Sequence, residues 1–223
     1  MTFSIAARCA RTGQFGIAVA SSSPAVAARC AYARAGIGVV ATQNVTDPRF
    51  GPRGLELLSL GASAAETIAV LRRAPHSEHR QVALVDVTGV VAGYSGARCL
   101  GVHAISEATG AIAAGNLLAD PSVPHAMVEA FATTAEHELG DRIVAAMQAG
   151  LAAGGEAGPV HSAGMLLVDK VPWPVADLRV DWHDDPIGEL ARLWTLWKPQ
   201  LAAYVTRALD PDAAPGYRVA GER

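Results

Sequence analysis

The sequence has little charge, few cysteines and no long uninterrupted apolar run. Charged residues make up 17% of its 223 positions and the net charge is −3. Without a run of Lys or Arg there is no basic footprint for a phosphate backbone, so nucleic acid is not an expected partner. No stretch of about 18 apolar residues escapes interruption by a charge, a Gly or a polar residue, so no membrane span is expected. The opening Met1-Thr2-Phe3-Ser4-Ile5 has neither the basic nor the long apolar region of a secretory signal. Three cysteines, Cys9, Cys30 and Cys99, are an odd and scattered set. They read as free thiols in a reducing compartment, and the expected location is cytoplasmic. Gly13-Gln14-Phe15-Gly16 and Gly36-Ile37-Gly38 complete no nucleotide motif, and Gly93-Tyr94-Ser95-Gly96 misses the nucleophile-elbow spacing. His76 and His79 have no third ligand in view, and Trp182-His183-Asp184-Asp185 reads as a polar turn and helix cap. No metal and no organic cofactor is expected.

What the chain does have is apolar residues, 51% of the total, enough for one sizeable core. Residues 3–8 and 16–20 flank the turn Thr12-Gly13 and predict an antiparallel hairpin that begins at the first residues. Residues 37–43, 81–85, 90–94, 112–114, 163–168 and 176–180 predict further strands, the second hairpin turning at Asp86-Val87-Thr88-Gly89. Helices are predicted over 52–60, over 63–73 behind the capping box Ser63-Ala64-Ala65-Glu66, and over 124–133, 139–153 and 185–197. Pro199 should kink or end the last of these. Hairpins, helix pairs and hairpins again give an α+β order, antiparallel sheets covered by helix pairs, rather than a repeated βαβ pattern. Residues 1–209 read as a single domain and 210–223 as a loose tail. Trp194 and Trp197 with Leu190, Leu193 and Leu201 make an apolar face suited to a core or a subunit interface, and a homo-oligomer is expected.

Thr2 carries the sequence's main chemical suggestion. A hydroxyl residue directly after Met1, on an ordered strand, becomes N-terminal if Met1 is excised, and a small second residue permits excision. An α-amine with an ordinary pKa of about 7.7–8.0 can then serve as general base for the hydroxyl of its own residue. By itself Thr after Met is a common arrangement and no proof of a site.

Five segments resemble the bacterial Ntn-hydrolase-like family catalogued as domain of unknown function 1028. They are Met1-Thr2-Phe3-Ser4-Ile5; Gly16-Ile17-Ala18-Val19-Ala20-Ser21-Ser22; Ala41-Thr42-Gln43-Asn44 with Phe50-Gly51-Pro52-Arg53-Gly54-Leu55-Glu56-Leu57-Leu58; Gly115-Asn116; and Asp177-Leu178-Arg179-Val180-Asp181 with Asp184-Asp185-Pro186. They run in order from Thr2 to about Trp197. The resemblance implies a four-layer αββα sandwich of two antiparallel sheets with Thr2 at the nucleophile position, and it implies no substrate. The sequence departs from the family at Ser22-Ser23-Pro24, where a large residue is usual, and at Ala114, where many relatives have Gln.

The expected activity is hydrolysis of a small amide, lactam or related acyl bond. Thr2 attacks, its α-amine takes the proton, and Asn116, at the end of a short apolar strand, donates to the oxyanion. Ser21, Ser22, Thr42 and Gln43, at strand ends, are pocket candidates, and Arg53 is a candidate clamp for a substrate carboxylate. Asn116 as a turn residue and Arg53 paired with Glu56 are the structural alternatives. The rival functional readings are a ligand-binding or scaffold protein without turnover, and an enzyme whose nucleophile is Ser4 or Cys30.

Overall fold

The architecture is taken from a computed structural model, which describes residues 1–217 and 219. The predicted first hairpin forms as β1 (Thr2–Arg8) and β2 (Phe15–Ser21), with Gly13 in the left-handed region at its turn. After the single-turn helix α1 (Ala27–Cys30) the chain crosses to a second sheet. There β3 (Ala31–Arg34) pairs with β4 (Gly38–Asn44). Helices α2 (Phe50–Ser59) and α3 (Ala64–Leu71) follow, and the Ser63–Glu66 capping box closes in both directions. A second hairpin, β5 (Arg80–Asp86) with β6 (Val91–Ser95), completes this sheet in the order β3-β4-β5-β6. Asp86 Oδ1 pins its turn by accepting from the backbone of Thr88 and Val90.

The chain then returns to the first sheet with β7 (His103–Ala108) and β8 (Ala111–Asn116), runs through α4 (Val123–Thr133) and α5 (Leu139–Ala152), and adds β9 (Ser162–Val168) and β10 (Ala176–Val180). The large sheet has the order β10-β9-β2-β1-β8-β7, every pair antiparallel, so β1 lies at its centre. Helices α6 (Pro186–Trp197) and α7 (Leu201–Leu209) close the chain, joined by a 3-10 turn that contains Pro199.

Side-chain alternation divides the interior into three apolar layers. Phe3, Ile5 and Ala7 face a core shared with Met127, Phe131, Ile143, Met147 and Trp194 of α4, α5 and α6. Ala6, Ile17, Ile112 and Ala114 face Val39, Ala41, Ala83 and Val85 of the small sheet. Val40, Val82 and Leu84 face Leu55, Leu58, Ile68 and Leu71 of α2 and α3. The expected αββα sandwich of two antiparallel sheets is therefore the observed fold.

Four elements are not among those expected: α1 is a single turn, β3 has only four residues, β7 is an edge strand with mixed polar and apolar residues, and α7 follows α6. The helix α6 ends before Pro199 as expected, and a 3-10 turn that holds the proline leads into α7. Leu190 and Trp194 are buried in the chain's own core, with Leu193, Trp197 and Leu201 packed against it. The apolar face that suggested an oligomer is thus largely covered within one chain. Residues 211–217 of the expected tail turn back on α7, where Arg207 donates to the carbonyls of Pro215 and Gly216. Residues 218 and 220–223 of that tail lie outside the described residues.

Candidate active site

The layer between the sheets is apolar in its middle and polar at one end. Thr2 and Ser4 share the face of β1 that carries Ala6, and Asn116 shares the face of β8 that carries Ala114. Gln43 and Gln81 continue the inward faces of β4 and β5. Thr2 is paired in register with Asn116. Thr2, Ser4, Ser21, Gln43, Gln81 and Asn116 are all 5% exposed or less. Burying such polar groups is costly unless each finds a partner, so their hydrogen bonds fix their roles.

Gln81 is the organiser. Its Nε2 donates to the carbonyl of Gly115 at 2.9 Å and to Ser95 Oγ at 2.9 Å. A carbonyl can only accept, so the orientation of the Gln81 amide is determined. Its Oε1 accepts from Gln43 Nε2 at 2.7 Å and from Asn116 Nδ2 at 3.1 Å. Gln43 Oε1 in turn accepts from Ser4 Oγ at 2.7 Å. One consequence reaches Thr2: the atom of Asn116 left without a partner is the acceptor Oδ1, which is buried. For the oxyanion role expected of Asn116, only the second N–H of Nδ2 remains. An unpaired acceptor beside Thr2 suits a proton donor better, and leaving it unmet costs about 1–3 kcal/mol.

On the other side of Thr2 a chain of donors runs one way. Arg29 Nη2 donates to Ser23 Oγ at 2.6 Å, Ser23 Oγ lies 2.8 Å from Ser21 Oγ, and Ser21 Oγ donates to the carbonyl oxygen of Met1 at 2.5 Å. A guanidinium only donates and a carbonyl only accepts, so both hydroxyl protons point toward Met1. The backbone N–H of Ser23 also donates to Ser21 Oγ at 3.1 Å. The hydroxyl of Thr2 donates to the same Met1 oxygen. A carbonyl attached to Thr2 is therefore held between the Thr2 hydroxyl and a polarised serine.

Glu156, in the turn after α5, is 4% exposed, and both its oxygens accept from the backbone N–H of Ser22, at 3.1 and 3.2 Å. Burial pushes its carboxyl up to about 7, while the α-ammonium of Met1 and the Ser22 hydrogen bonds pull the other way. A bridge between Leu118 and Glu156 ties this turn to the segment just after Asn116. Backbone strain gathers here as well. Leu117 just after β8, Asn44 as the last residue of β4, and Ala25 in the turn after β2 have φ of 51°, 76° and 51°, at the Thr2 end of the sheets. Non-glycine residues in that region cost roughly 1–3 kcal/mol each and concentrate at functional sites.

The residues picked out in the sequence separate accordingly. Thr2, Asn116, Ser21 and Gln43 come together, and Ser22 joins them through its backbone. Thr42 points away from Gln43, toward the α2 side, where its Oγ1 donates to the carbonyl of Asp47 at 3.4 Å. Arg53 is exposed on α2, in the helical layer outside the small sheet, and is not brought to Thr2. Ser4 is committed to Gln43, and burial pushes the Cys30 thiol up, which makes either a poor nucleophile. Glu156, Gln81, Ser23 and Arg29 are the residues that the sequence reading missed. A cavity of about 630 Å³ opens at the opposite end of β1, among Arg8, Cys9, Arg11, Glu136 and Arg142. It is lined by cations and by Thr88, whose hydroxyl donates to Asp86 at 2.7 Å within the β5–β6 turn, whereas the Thr2 end joins a hydroxyl of the first strand to a polarised serine, which makes it the better candidate for chemistry.

Comparison with known proteins agrees on the family and leaves the activity open. A family model described as a family of unknown function, DUF1028, matches residues 2–190. The crystal structure of protein SPO2555 from Silicibacter pomeroyi, of the same family, superposes with a TM-score of 0.81 at 30% identity, covering 87% of this chain and 88% of that one. Anbu, an ancestral beta-subunit from Yersinia bercovieri, aligns at 12% identity over 97% of this chain and 100% of its own, with a TM-score of 0.37. No curated protein matches. Among the described residues no helix is long and apolar enough to cross a membrane.

Proposed function

The chain belongs to the DUF1028 family, and we propose that it is an N-terminal-nucleophile hydrolase of a small amide, lactam or related acyl compound. The observation that carries this is the carbonyl at Thr2, held by the Thr2 hydroxyl and by the Ser21 end of the donor chain from Arg29. With Met1 removed, the Thr2 α-amine is free and the position of that carbonyl is open to a substrate. The amine accepts the hydroxyl proton, Thr2 Oγ bonds to the substrate carbonyl carbon, and the carbonyl electron pair moves onto oxygen. Ser21 Oγ, already aimed at a carbonyl oxygen, stabilises that charge, in the role the sequence reading gave to Asn116. Asn116 Oδ1 accepts an N–H of the α-amine and orients its lone pair toward the hydroxyl. Collapse breaks the C–N bond, the leaving amine takes the proton from the α-ammonium, and water hydrolyses the Thr2 ester. The partner is a small molecule, and no cofactor enters these steps.

The hold on Met1 also favours a second reading, a binding protein that keeps Met1 and never turns over. One experiment separates them. Intact mass of purified protein, before and after a β-lactone electrophile, should show Thr2 at the N-terminus and a single adduct on it that Thr2→Ala lacks. Met1 retained in every molecule that binds or reacts would refute the hydrolase. The cytoplasmic location and the homo-oligomer belong to the same proposal. Leu196, 53% exposed, and Leu209, 63% exposed, are exposed apolar groups on α6 and α7 available to a second copy.

A further inference from the structure

The residue in front of Thr2 marks out a binding site. The oxygen of Met1 rests on Ser21, its side chain lies against the turn after α5, and its α-ammonium acts on Glu156. A Cβ built on Gly158 would sit 3.7 Å from Met1 Cε and 3.8 Å from Sδ, ordinary contact distances, so the glycine leaves room for a methyl group beside a Met1 side chain that is itself part exposed. Glu156 takes its hydrogen bonds from Ser22 and has no contact ion pair among the described residues, which is unusual for a buried carboxylate.

We infer that the site now occupied by Met1 is the subsite for an α-aminoacyl group, with Glu156 receiving the substrate's free α-ammonium and the Gly158 turn its side chain. The substrate class is then amides of α-amino acids with an unblocked amine. This rests on the hydrolase reading. The chemistry links the two: an aminoacyl ester on Thr2 Oγ is the N-to-O isomer of the peptide between Met1 and Thr2. The acyl carbon changes its bond from Thr2 N to Thr2 Oγ, atoms of one residue, while its oxygen, side chain and amine keep the same neighbours. Met1 is therefore a near image of the acyl group in the covalent intermediate. Glu156 supplies what a cationic amine needs in a buried place, a carboxylate whose attraction is little weakened by water. An N-acetylated or desamino acyl group would leave that carboxylate unpaired and would have to bear the cost of its burial.

The test uses protein released from a cleavable N-terminal fusion so that it starts at position 2. L-Methionine p-nitroanilide is compared with its desamino analogue, 4-(methylthio)butanoyl p-nitroanilide. The amino compound should have the higher kcat/KM by at least about tenfold, and Glu156→Gln should bring the ratio toward one. Equal turnover of both compounds by the wild-type chain overturns the ammonium subsite and leaves the Thr2 mechanism standing, with no dependence on whether the variant folds. If neither compound acylates Thr2, the mechanism fails for this class. The subsite is then read by calorimetry on Thr2→Ala with L-methioninamide and 4-(methylthio)butanamide. Tighter binding of the amine form supports the subsite, and equal binding or none overturns it.

Discussion

Glu156 makes the stability of the fold depend on pH in the opposite sense from most carboxylates, and Glu156→Gln should expose this. In the folded chain its carboxyl titrates near 7, against an ordinary value of 4.5. The folded state therefore holds a proton between those values that the unfolded chain has released. Stability contributed by the neutral carboxyl is complete below about pH 4.5 and is lost as pH rises through about 7. The gap corresponds to on the order of 3 kcal/mol, taken mainly from burial, with the Met1 ammonium and the Ser22 N–H already offsetting part of it. Gln is close in shape, keeps an acceptor for the Ser22 N–H and does not titrate. In urea melts at about pH 5 and about pH 8 on chains with the same N-terminus, wild type should lose on the order of 3 kcal/mol relative to Glu156→Gln. At roughly 2–4 °C per kcal/mol for a chain of this size, the thermal midpoints should diverge by about 6–12 °C. Parallel pH profiles for the two proteins would show that Glu156 is ionised or solvated in the folded state and would refute the argument.

Thr2→Ala should lower kcat by at least about two orders of magnitude with the melting curve unchanged, and Thr2→Ser should keep partial activity, both read by steady-state kinetics and thermal denaturation. Ser21→Ala removes the donor aimed at the carbonyl and should cost roughly 2.7–4 kcal/mol of transition-state stabilisation, seen in kcat more than in KM. Gln81→Leu orphans Gln43 Nε2, Asn116 Nδ2 and the Gly115 carbonyl together, so a loss of several kcal/mol is expected in denaturant melts, and a change under about 1 kcal/mol would contradict the organising role given to Gln81. A monomer by light scattering at micromolar concentration would refute the oligomer.

Much of this arrangement was legible in the residues, and the parts that were not have physical reasons. The hairpin beginning at Thr2, the capping box at Ser63 and the periodic helix from Leu139 are local patterns, and each formed as read. Thr42 and Gln43 are both pocket candidates in the sequence because they end one strand, yet neighbouring residues on a strand face opposite ways, and only Gln43 shares the phase of Val39 and Ala41. Gln81 carried a usable signal of the same kind: it opens Gln81-Val82-Ala83-Leu84-Val85 in phase with the buried Ala83 and Val85. Glu156 carried none. It is a lone acid among small residues, and its importance comes from a turn folded against Ser22 and the N-terminus, 134 positions away along the chain in the case of Ser22. Ser23 and Arg29 were obscured for a similar reason, since only the bend after β2 brings Arg29 back over Ser23.

The directions of the hydrogen bonds say more about Thr2 than its position does. Two networks end beside it, and each is forced to one polarity by a group that cannot be reversed. Gly115 and Ala104 present carbonyls to Gln81 Nε2, which turns Gln81 Oε1 toward Asn116 Nδ2 and leaves Asn116 Oδ1 as a bare acceptor. Arg29 presents only donors, which turns the Ser23 and Ser21 hydroxyls outward and leaves a proton facing the carbonyl. An acceptor on one side and a donor on the other is the polarity that proton removal from a hydroxyl, followed by charge build-up on a carbonyl oxygen, requires. A purely structural cluster would gain by giving Asn116 Oδ1 a donor. Here the Ser21 proton goes to the Met1 carbonyl instead, and keeping the acceptor unmet costs about 1–3 kcal/mol. Asn116→Ala should then stabilise the fold or leave it unchanged once Gln81 Oε1 keeps its bond from Gln43, while slowing acylation of Thr2. A variant that melts lower and acylates at the wild-type rate would make Asn116 a strand-end residue and nothing more.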